Sequence, residues 1–441
     1  MTVINFLKNS AERYPQKTAL IYENISLSYL ELLEQVNNFS KNLIANTQSD
    51  VVSMMSENSS SFVIAYLGII NSGKIPHIHP TNISENNLNS QLLSSGSSMH
   101  ICSNSVFESI SKYDGISVPT KKIDSFFTVC CDSTISSKIN ETAYLIYTSG
   151  TTSIPKGVGI LHSMVEFTTK NIVDVLNYSD SDIDVLPLPL YHSFGLGCLH
   201  TSLFTGATLI LLKNAIDLQK ILDTIQKNKA TTLAAIPATL TKLLQFENLE
   251  TTFSNLRLIM TNSTKIPLST IQFFKKILKN GNLATYYGLT EASRSTFMIF
   301  DSNSDYDESV GQPGPGVEIK IKNSDIDTEI GEIWVKGKNV LQSYWQNPEA
   351  DKQISDGWLK TGDLGFLKNN HLYLVGRTDD VINIGGEKVF PDEIEQVVKE
   401  IDGVENAVAF GIDHEIFGQV IKLNIVKSKN SKLDKSLVLK H

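Results

Sequence analysis

No stretch of this chain reaches the roughly 18 consecutive apolar residues that a membrane-spanning helix requires. Its longest apolar run, Phe62 to Ile70, has the length of a buried helix. Cysteine is scarce, and Cys102, Cys130, Cys131 and Cys198 show no Cys-x-x-Cys spacing. That excludes a disulfide framework or a zinc-ribbon site and fits a reducing compartment. Positive charge is not in excess: 38 basic against 47 acidic side chains leave a net charge of −9, the wrong sign for a nucleic-acid binder. The N-terminus lacks a basic stretch followed by an apolar segment, so no signal peptide is expected. These absences predict a soluble, cytoplasmic protein with no membrane span and no nucleic-acid partner. What is there is ordinary globular material, 41% hydrophobic and 19% charged over 441 residues, enough for two or three domains.

Short β-branched runs alternate with amphipathic helical stretches, the pattern of α/β architecture. Ser28 and Glu31 have capping-box spacing, and Leu32, Leu33, Val36, Phe39 and Leu43 form an apolar stripe behind them. Residues 84–140 are rich in Ser and Asn and read as loops with few strong elements. Past residue 300 the texture changes. Val317–Ile321 and Gly331–Val335 alternate as half-exposed strands do, after a turn-rich Gly311–Gly316. Beyond Gly376, a helix is expected from Pro391, with Ile394, Val397, Val398 and Ile401 on one face, and strands at Ala407–Ile412 and Val420–Val426.

The segment Thr148-Ser149-Gly150-Thr151-Thr152-Ser153-Ile154-Pro155-Lys156-Gly157 lies between apolar strands at Ala143–Ile146 and Val158–Leu161. It holds five hydroxyls, two glycines and one lysine. Hydroxyls and exposed backbone N–H groups donate to phosphate oxygens, and a lysine balances their charge. It is not a Walker A loop, because Lys156 precedes Gly157 and a strand, not a helix, follows. Composition alone is equally compatible with a polar turn.

The order of residues resembles the phosphate loop of the adenylate-forming superfamily, which includes acyl-CoA synthetases, nonribosomal peptide adenylation domains and beetle luciferases. Ser153 stands where that family usually has glycine. Further motifs follow in family order: Tyr286-Tyr287-Gly288-Leu289-Thr290-Glu291, Thr361-Gly362-Asp363, Gly376-Arg377-Thr378-Asp379-Asp380 and Gly385-Gly386-Glu387-Lys388-Val389-Phe390-Pro391. Gly331-Glu332-Ile333-Trp334 and Tyr344-Trp345-Gln346-Asn347-Pro348-Glu349 resemble a block that reads as largely structural.

The resemblance implies a large N-terminal α/β domain of two helix-flanked sheets with a β-rich subdomain, then a small partial α+β C-terminal lobe. The expected boundaries are 1–376 for the core, with the β-rich part at about 305–376, and 377–441 for the lobe. It implies ATP, Mg²⁺ and a small carboxylic acid as reactants, with coenzyme A or a carrier-protein 4'-phosphopantetheine as acceptor. Thr148, Ser149, Gly150, Thr151, Thr152 and Lys156 would cradle phosphates. Tyr287 and Gly288 would flank the adenine, Thr290 would reach the α-phosphate, and Glu291 would hold the metal. Asp363 and Arg377 would bind the ribose, and Asp379 would be the hinge.

The acid pocket implied by resemblance comprises His192, Ser193, Phe194, Ala235, Ile236, Thr261, Asn262, Ser263 and Tyr286, with His192 also in a catalytic position. Amino-acid-activating relatives place an aspartate near Ser193 to pair with the α-ammonium. A buried ammonium without a partner is costly, so Ser193 points to an acid lacking an α-amine. The family's last block, with its lysine, does not occur before His441, which implies a shortened C-terminal lobe. Asn383 stands where the family usually has lysine. Two alternatives stay open: a catalytically impaired nucleotide- or acyl-binding homologue, and an amino-acid-activating adenylation domain.

Overall fold

A computed structural model describes the chain except for Asp114 and residues 128–138, 149–154, 263–265, 302–305, 323–328, 385–386, 415–417, 429–437 and 439–441. The chain divides into two compact units, Met1–Glu318 with Lys336–Leu359, and Ile319–Val335 with Lys360–His441.

Local sequence signals start several elements of the first unit. Helix Tyr29–Asn46 opens with the predicted capping box: Glu31 N–H donates to Ser28 Oγ at 3.2 Å, and Ser28 N–H donates to Glu31 Oε2 at 2.8 Å. Two orphan helix donors are thereby satisfied, a device worth about 1 kcal/mol. Leu32, Val36, Phe39 and Leu43 are buried, whereas Leu33 is only partly so. The apolar run becomes helix Ser60–Asn71, buried at every position from Phe62 to Asn71. It packs tightly on Tyr29–Asn46 at Gly68, where a Cβ would stand 2.4 Å from Phe39 Cδ1.

Two sheets with parallel centres organise this unit. In the first, described strands run in the order Gln312–Pro313, Thr296–Phe300, Asn282–Thr285, Leu258–Thr261, Thr232–Ala234, Ile183–Leu186, Thr208–Leu211, Thr18–Tyr22, Ile25–Ser28. Pairing is parallel from Asn282–Thr285 through Thr18–Tyr22 and antiparallel at both margins. The second sheet runs Thr120–Lys122, His100–Cys102, Val51–Met55, Ile75–His79, Thr142–Thr148, Lys156–Leu161. Helix–strand crossovers of this kind place functional loops at the carboxyl ends of the strands.

The expectation of loops over 84–140 is corrected here. Helices Glu85–Ser95 and Asn104–Ile110 and strands His100–Cys102 and Thr120–Lys122 occupy much of that stretch. Its serines serve as helix starts: Ser84 Oγ accepts from Asn87 N–H and Ser103 Oγ from Val106 N–H. Cap residues read as loop signals in composition because the same side chains favour both.

In the second unit, Trp358–Lys368 (from Lys360 onward) pairs antiparallel with His371–Arg377, which sets Asp363 directly opposite Arg377. Strands Val404–His414 and Gly418–Lys427 form a long antiparallel pair, and helix Pro391–Lys399 starts at the expected proline. Ile394, Val398 and Ile401 join the small core there. Val397 does not: it is exposed, because a stripe spaced by four and three residues leaves its neighbour on the flank.

A polar cluster lies inside the second sheet of the first unit. His77, His79 and His100 are fully buried, and Ser53 sits beside both His77 and His100 in the strand register. The His77 and His79 rings are 3.9 Å apart, and His77 packs 5.0 Å from Tyr147, next to Thr148. Burial holds His77 near a pKa of about 3 and His100 near about 4, and burial, with His77 and His100 beside it, holds His79 well below the usual imidazole range. An imidazole whose pKa falls on folding binds fewer protons in the native than in the unfolded chain. Its stability contribution is therefore full above about pH 6.5 and is lost as pH falls toward the folded value. At pH 5 each such group costs about 2 kcal/mol. The expected result is a urea midpoint that drops steeply from pH 7 to pH 5, with a shallower slope in His100→Asn; a flat midpoint across that range refutes the account.

Candidate functional site

The phosphate-type loop is a hairpin connection. Strands Thr142–Thr148 and Lys156–Leu161 pair antiparallel, and their register puts Thr148 directly opposite Lys156. The two ends of the motif are thus fixed side by side by backbone hydrogen bonds, while Ser149, Gly150, Thr151, Thr152 and Ser153 lie outside the described residues. The segment read as merely structural holds this hairpin. Trp345 N–H donates to the Gly157 carbonyl at 2.8 Å. A Cβ on Gly157 would meet Trp345 Cβ at 3.0 Å, and one on Gly159 would meet the indole at 3.2 Å. Glycine at 157 and 159 is what lets Trp345 lie on the strand.

Glu291 comes to the same place from the other sheet. The Leu289–Ala292 turn, closed by reciprocal backbone bonds of 3.1 and 3.2 Å, carries Thr290 and Glu291 outward. Thr148 Oγ1 donates to Glu291 Oε1 at 3.3 Å. Tyr344 Oη stands 2.7 Å from Gln353 Oε1 and 3.3 Å from Glu291 Oε1. A phenol has one proton to donate, and the shorter bond takes it. Both contacts to Glu291 are long, so its carboxylate keeps acceptor capacity for a cation. Lys156 Nζ donates to Gln353 Oε1 at 3.3 Å and lies 5.5 Å over the Tyr344 ring. Among the described residues no carboxylate pairs with Lys156. Burial and the adjacent Glu291 charge push the Tyr344 phenol well above its usual range, keeping it a neutral hydrogen-bond donor.

A lone hard carboxylate suits Mg²⁺, which retains waters and phosphate oxygens and asks little of the protein. No cluster of three or more His, Cys, Asp or Glu able to hold a metal occurs among the described residues. The donor set therefore fits magnesium held through one carboxylate and substrate phosphates, and does not fit a caged structural metal.

The pocket residues follow consecutive parallel strands at their carboxyl ends. Ala235 and Ile236 follow Thr232–Ala234, Asn262 follows Leu258–Thr261, and Tyr286, Tyr287 and Gly288 follow Asn282–Thr285. Thr261 and Thr285 are register partners, and Thr285 Oγ1 donates to the Thr261 carbonyl at 3.2 Å. Phe194 packs edge-on to Tyr286 with centroids 5.4 Å apart, and burial raises the pKa of the Tyr286 phenol to about 12. Tyr287 is buried, and its carbonyl accepts from Ser295 N–H at 2.8 Å. Gly288 has no room for a side chain, since a Cβ would stand 2.5 Å from the Arg294 nitrogen.

His192 is exposed at the N-cap of helix Ser193–Thr205, makes no side-chain cap, and packs against Tyr191 at 4.6 Å. Ser193 opens that helix. Ser263 lies outside the described residues, as do Gly385 and Gly386. In the second unit, Arg377 Nε is 3.2 Å from Asp363 Oδ1, with Arg377 exposed, so the pair adds little stability. Asp379 is exposed in the turn that follows. Tyr344 and Gln353 are functional candidates that sequence reasoning missed. The aromatic Tyr344-Trp345 pair was visible, but nothing in it announces a partner more than fifty residues away in the chain.

The sequence profile of the AMP-binding enzyme family matches residues 7–345. The 2-succinylbenzoate–CoA ligase of Oceanobacillus iheyensis is 28% identical over 437 residues, 97% of this chain and 90% of that protein. The o-succinylbenzoate CoA synthetase of Bacillus subtilis, solved with its acyl-adenylate intermediate, has a TM-score of 0.87 at 28% identity, covering 97% of this chain and 89% of that one. The same enzyme solved with ATP and magnesium ion gives 0.88 at 27% identity, covering 98% and 91%.

Tyr344→Phe removes the hydroxyl between Gln353 and Glu291 while keeping the ring beneath Lys156. One lost hydrogen bond of about 1 kcal/mol corresponds to a change of about fivefold. The lost bond is to Gln353 Oε1, which also receives Lys156, so the expected outcome is a rise of that order in the Kd for nucleotide, with the unfolding midpoint little moved. A titration with a fluorescent nucleotide reads it, and an unchanged Kd removes Tyr344 from the site.

Proposed function

The chain belongs to the AMP-binding enzyme family, and from that premise we propose that its Thr148–Lys156–Glu291 centre carries the family's first half-reaction. The enzyme is an ATP-dependent acid–thiol ligase. A carboxylate oxygen of the acid attacks the α-phosphorus of ATP, the bond to the β-phosphate oxygen breaks, and pyrophosphate leaves with acyl-AMP remaining. A thiolate then attacks the acyl carbonyl, AMP departs, and a thioester results.

The observation that carries the assignment is a lysine held opposite a threonine, beside an under-satisfied carboxylate, with no carboxylate among the described residues on the lysine. Lys156 binds the polyphosphate and neutralises charge that develops in the displacement. Thr148, with Ser149, Gly150, Thr151 and Thr152, donates to the phosphate oxygens. Glu291 takes magnesium, which supplies charge neutralisation on the phosphates. Thr290 in the same turn reaches the α-phosphate, and Tyr287 and Gly288 flank the base. Asp363, with Arg377 beside it, accepts the ribose hydroxyls. His192, Ser193, Phe194, Ala235, Ile236, Thr261, Asn262, Ser263 and Tyr286 enclose the acid.

Coenzyme A is the acceptor we favour over a carrier-protein phosphopantetheine arm, because relatives matched over most of their length are CoA ligases. A cytoplasmic setting fits the buried, unpaired Cys102 and Cys198, and among the described residues no helix is long and apolar enough to cross a membrane. The catalytically impaired alternative is disfavoured by Lys156 and Glu291, which are not paired with each other and, among the described residues, have no ion-pair partner.

ATP–pyrophosphate exchange across a panel of acids tests the proposal, with thioester formation on free coenzyme A and on a phosphopantetheinylated carrier as the second stage. Lys156→Ala and Glu291→Gln are each expected to lower exchange by about a hundred- to a thousandfold while the protein stays folded. Exchange retained at the parent rate in both variants overturns the assignment.

A further inference from the structure

Arg294 is a buried cation with no counterion among the described residues. It is 3% exposed, and among the described residues no carboxylate pairs with it. Nη1 donates to Ser293 Oγ at 2.6 Å, but the remaining contacts, to the carbonyls of Ser193 and Phe194, are all 3.4 Å. Nε is buried with no hydrogen-bond partner. The guanidinium lies 4.8 Å over the Tyr286 ring. Other ionisable groups in its field are Tyr144, Tyr286, Cys198 and His200, and burial keeps each of them neutral. A buried guanidinium stays charged, so its charge is left to polar contacts that are mostly long.

The chain gives up local stability to keep it there. Arg294 itself adopts φ +54°, a left-handed backbone that an arginine takes at a cost. Gly197 interrupts the interior of helix Ser193–Thr205, where glycine weakens a helix. A Cβ at Gly197 would stand 1.9 Å from Arg294 Nη2, so the glycine makes the seat for the guanidinium. Gly288 makes room for the Arg294 backbone in the same way, at 2.5 Å. Strain and two glycines converge on holding one charge against Ser193, Phe194 and Tyr286, three residues of the proposed acid pocket.

We propose that Arg294 is a specificity-determining residue that pairs with a second carboxylate on the substrate, so that the acid activated is a dicarboxylic acid. The inference rests on the proposed ligase reading of this site. One carboxylate reacts at the Lys156 end, and the other accepts from the Arg294 guanidinium, completing its hydrogen bonds and neutralising its charge. The same charge repels an α-ammonium group, which agrees with the absence of an aspartate at Ser193. It also opposes a long unbranched alkyl chain, which would leave the cation unpaired in an apolar surround.

The test compares ATP–pyrophosphate exchange on matched pairs of mono- and dicarboxylic acids of equal carbon number: butyrate with succinate, hexanoate with adipate, and 2-methylbenzoate with phthalate. The quantity read is the ratio of kcat/KM for the two members of a pair, which does not depend on the fraction of active protein. For at least one pair the parent protein is expected to favour the dicarboxylate by tenfold or more. Arg294→Gln is expected to lower that ratio by about ten- to a hundredfold, the range of a charge-assisted hydrogen bond. Arg294→Lys, which keeps the charge should the glutamine variant fold poorly, is expected to fall between. Exchange that favours the monocarboxylate in every pair, or a ratio unmoved by either substitution, overturns this inference and leaves the ligase reading intact. Exchange with no acid of any class overturns both.

Discussion

An ammonium group that no carboxylate among the described residues pairs with organises this site. Lys156 is held by an antiparallel register opposite Thr148, with a neutral amide oxygen and an aromatic face as its neighbours. A carboxylate there would have been the cheapest partner for the charge, and it would also have competed with phosphate for it. The nearby acid, Glu291, contacts Thr148 and Tyr344 instead, at distances long enough to leave its oxygens available. A positive and a negative group thus face one space without cancelling each other. That arrangement requires rigid supports, and two sheets and the Trp345 contact on Gly157 supply them.

The supports came from places that composition misreads. Ser and Asn in residues 84–140 look like loop, yet Ser84 and Ser103 start helices that flank the sheet carrying the Lys156 hairpin. Side-chain hydroxyls satisfy helix N-termini and turns by the same bond, so their frequency alone does not separate the two. The same sheet contains three buried histidines beneath Tyr147. Three rings that must remain neutral make that part of the scaffold sensitive to acid, close to the hairpin for which the phosphate role is proposed.

In the proposed reading, Arg294 does at the acid end what Lys156 does at the phosphate end. In that reading both are cations whose neutralisation is left to a ligand; Gly197 makes the seat for Arg294, whereas Gly157 makes room for Trp345 on the strand that carries Lys156. The difference lies in burial. Lys156 is half-buried beside polar neighbours, whereas Arg294 is sealed among Tyr286, Ser193 and Phe194. A sealed charge discriminates between ligands more sharply than an exposed one, because the wrong ligand leaves it with nothing.

The sequence by itself determined the α/β class, the capping box at Ser28, the buried helix around Phe62–Ile70 and the hairpin that carries the Thr148–Lys156 motif. These are local or motif-borne properties: a periodicity of apolar residues, a three-residue spacing, a run of hydroxyls ending in lysine. Glu291 and Asp363 were legible for the same reason, each inside a short ordered motif. Only the tertiary structure decided that Tyr344 and Gln353 join Lys156 to Glu291, that Trp345 locks the hairpin, that Val397 faces outward, and that Arg294 lies without a counterion on Tyr286. Each of these is a contact between residues that are distant in sequence, or an absence of one. Charge pairing and burial depend on which side chains the folded chain brings together, and no spacing along the chain records that.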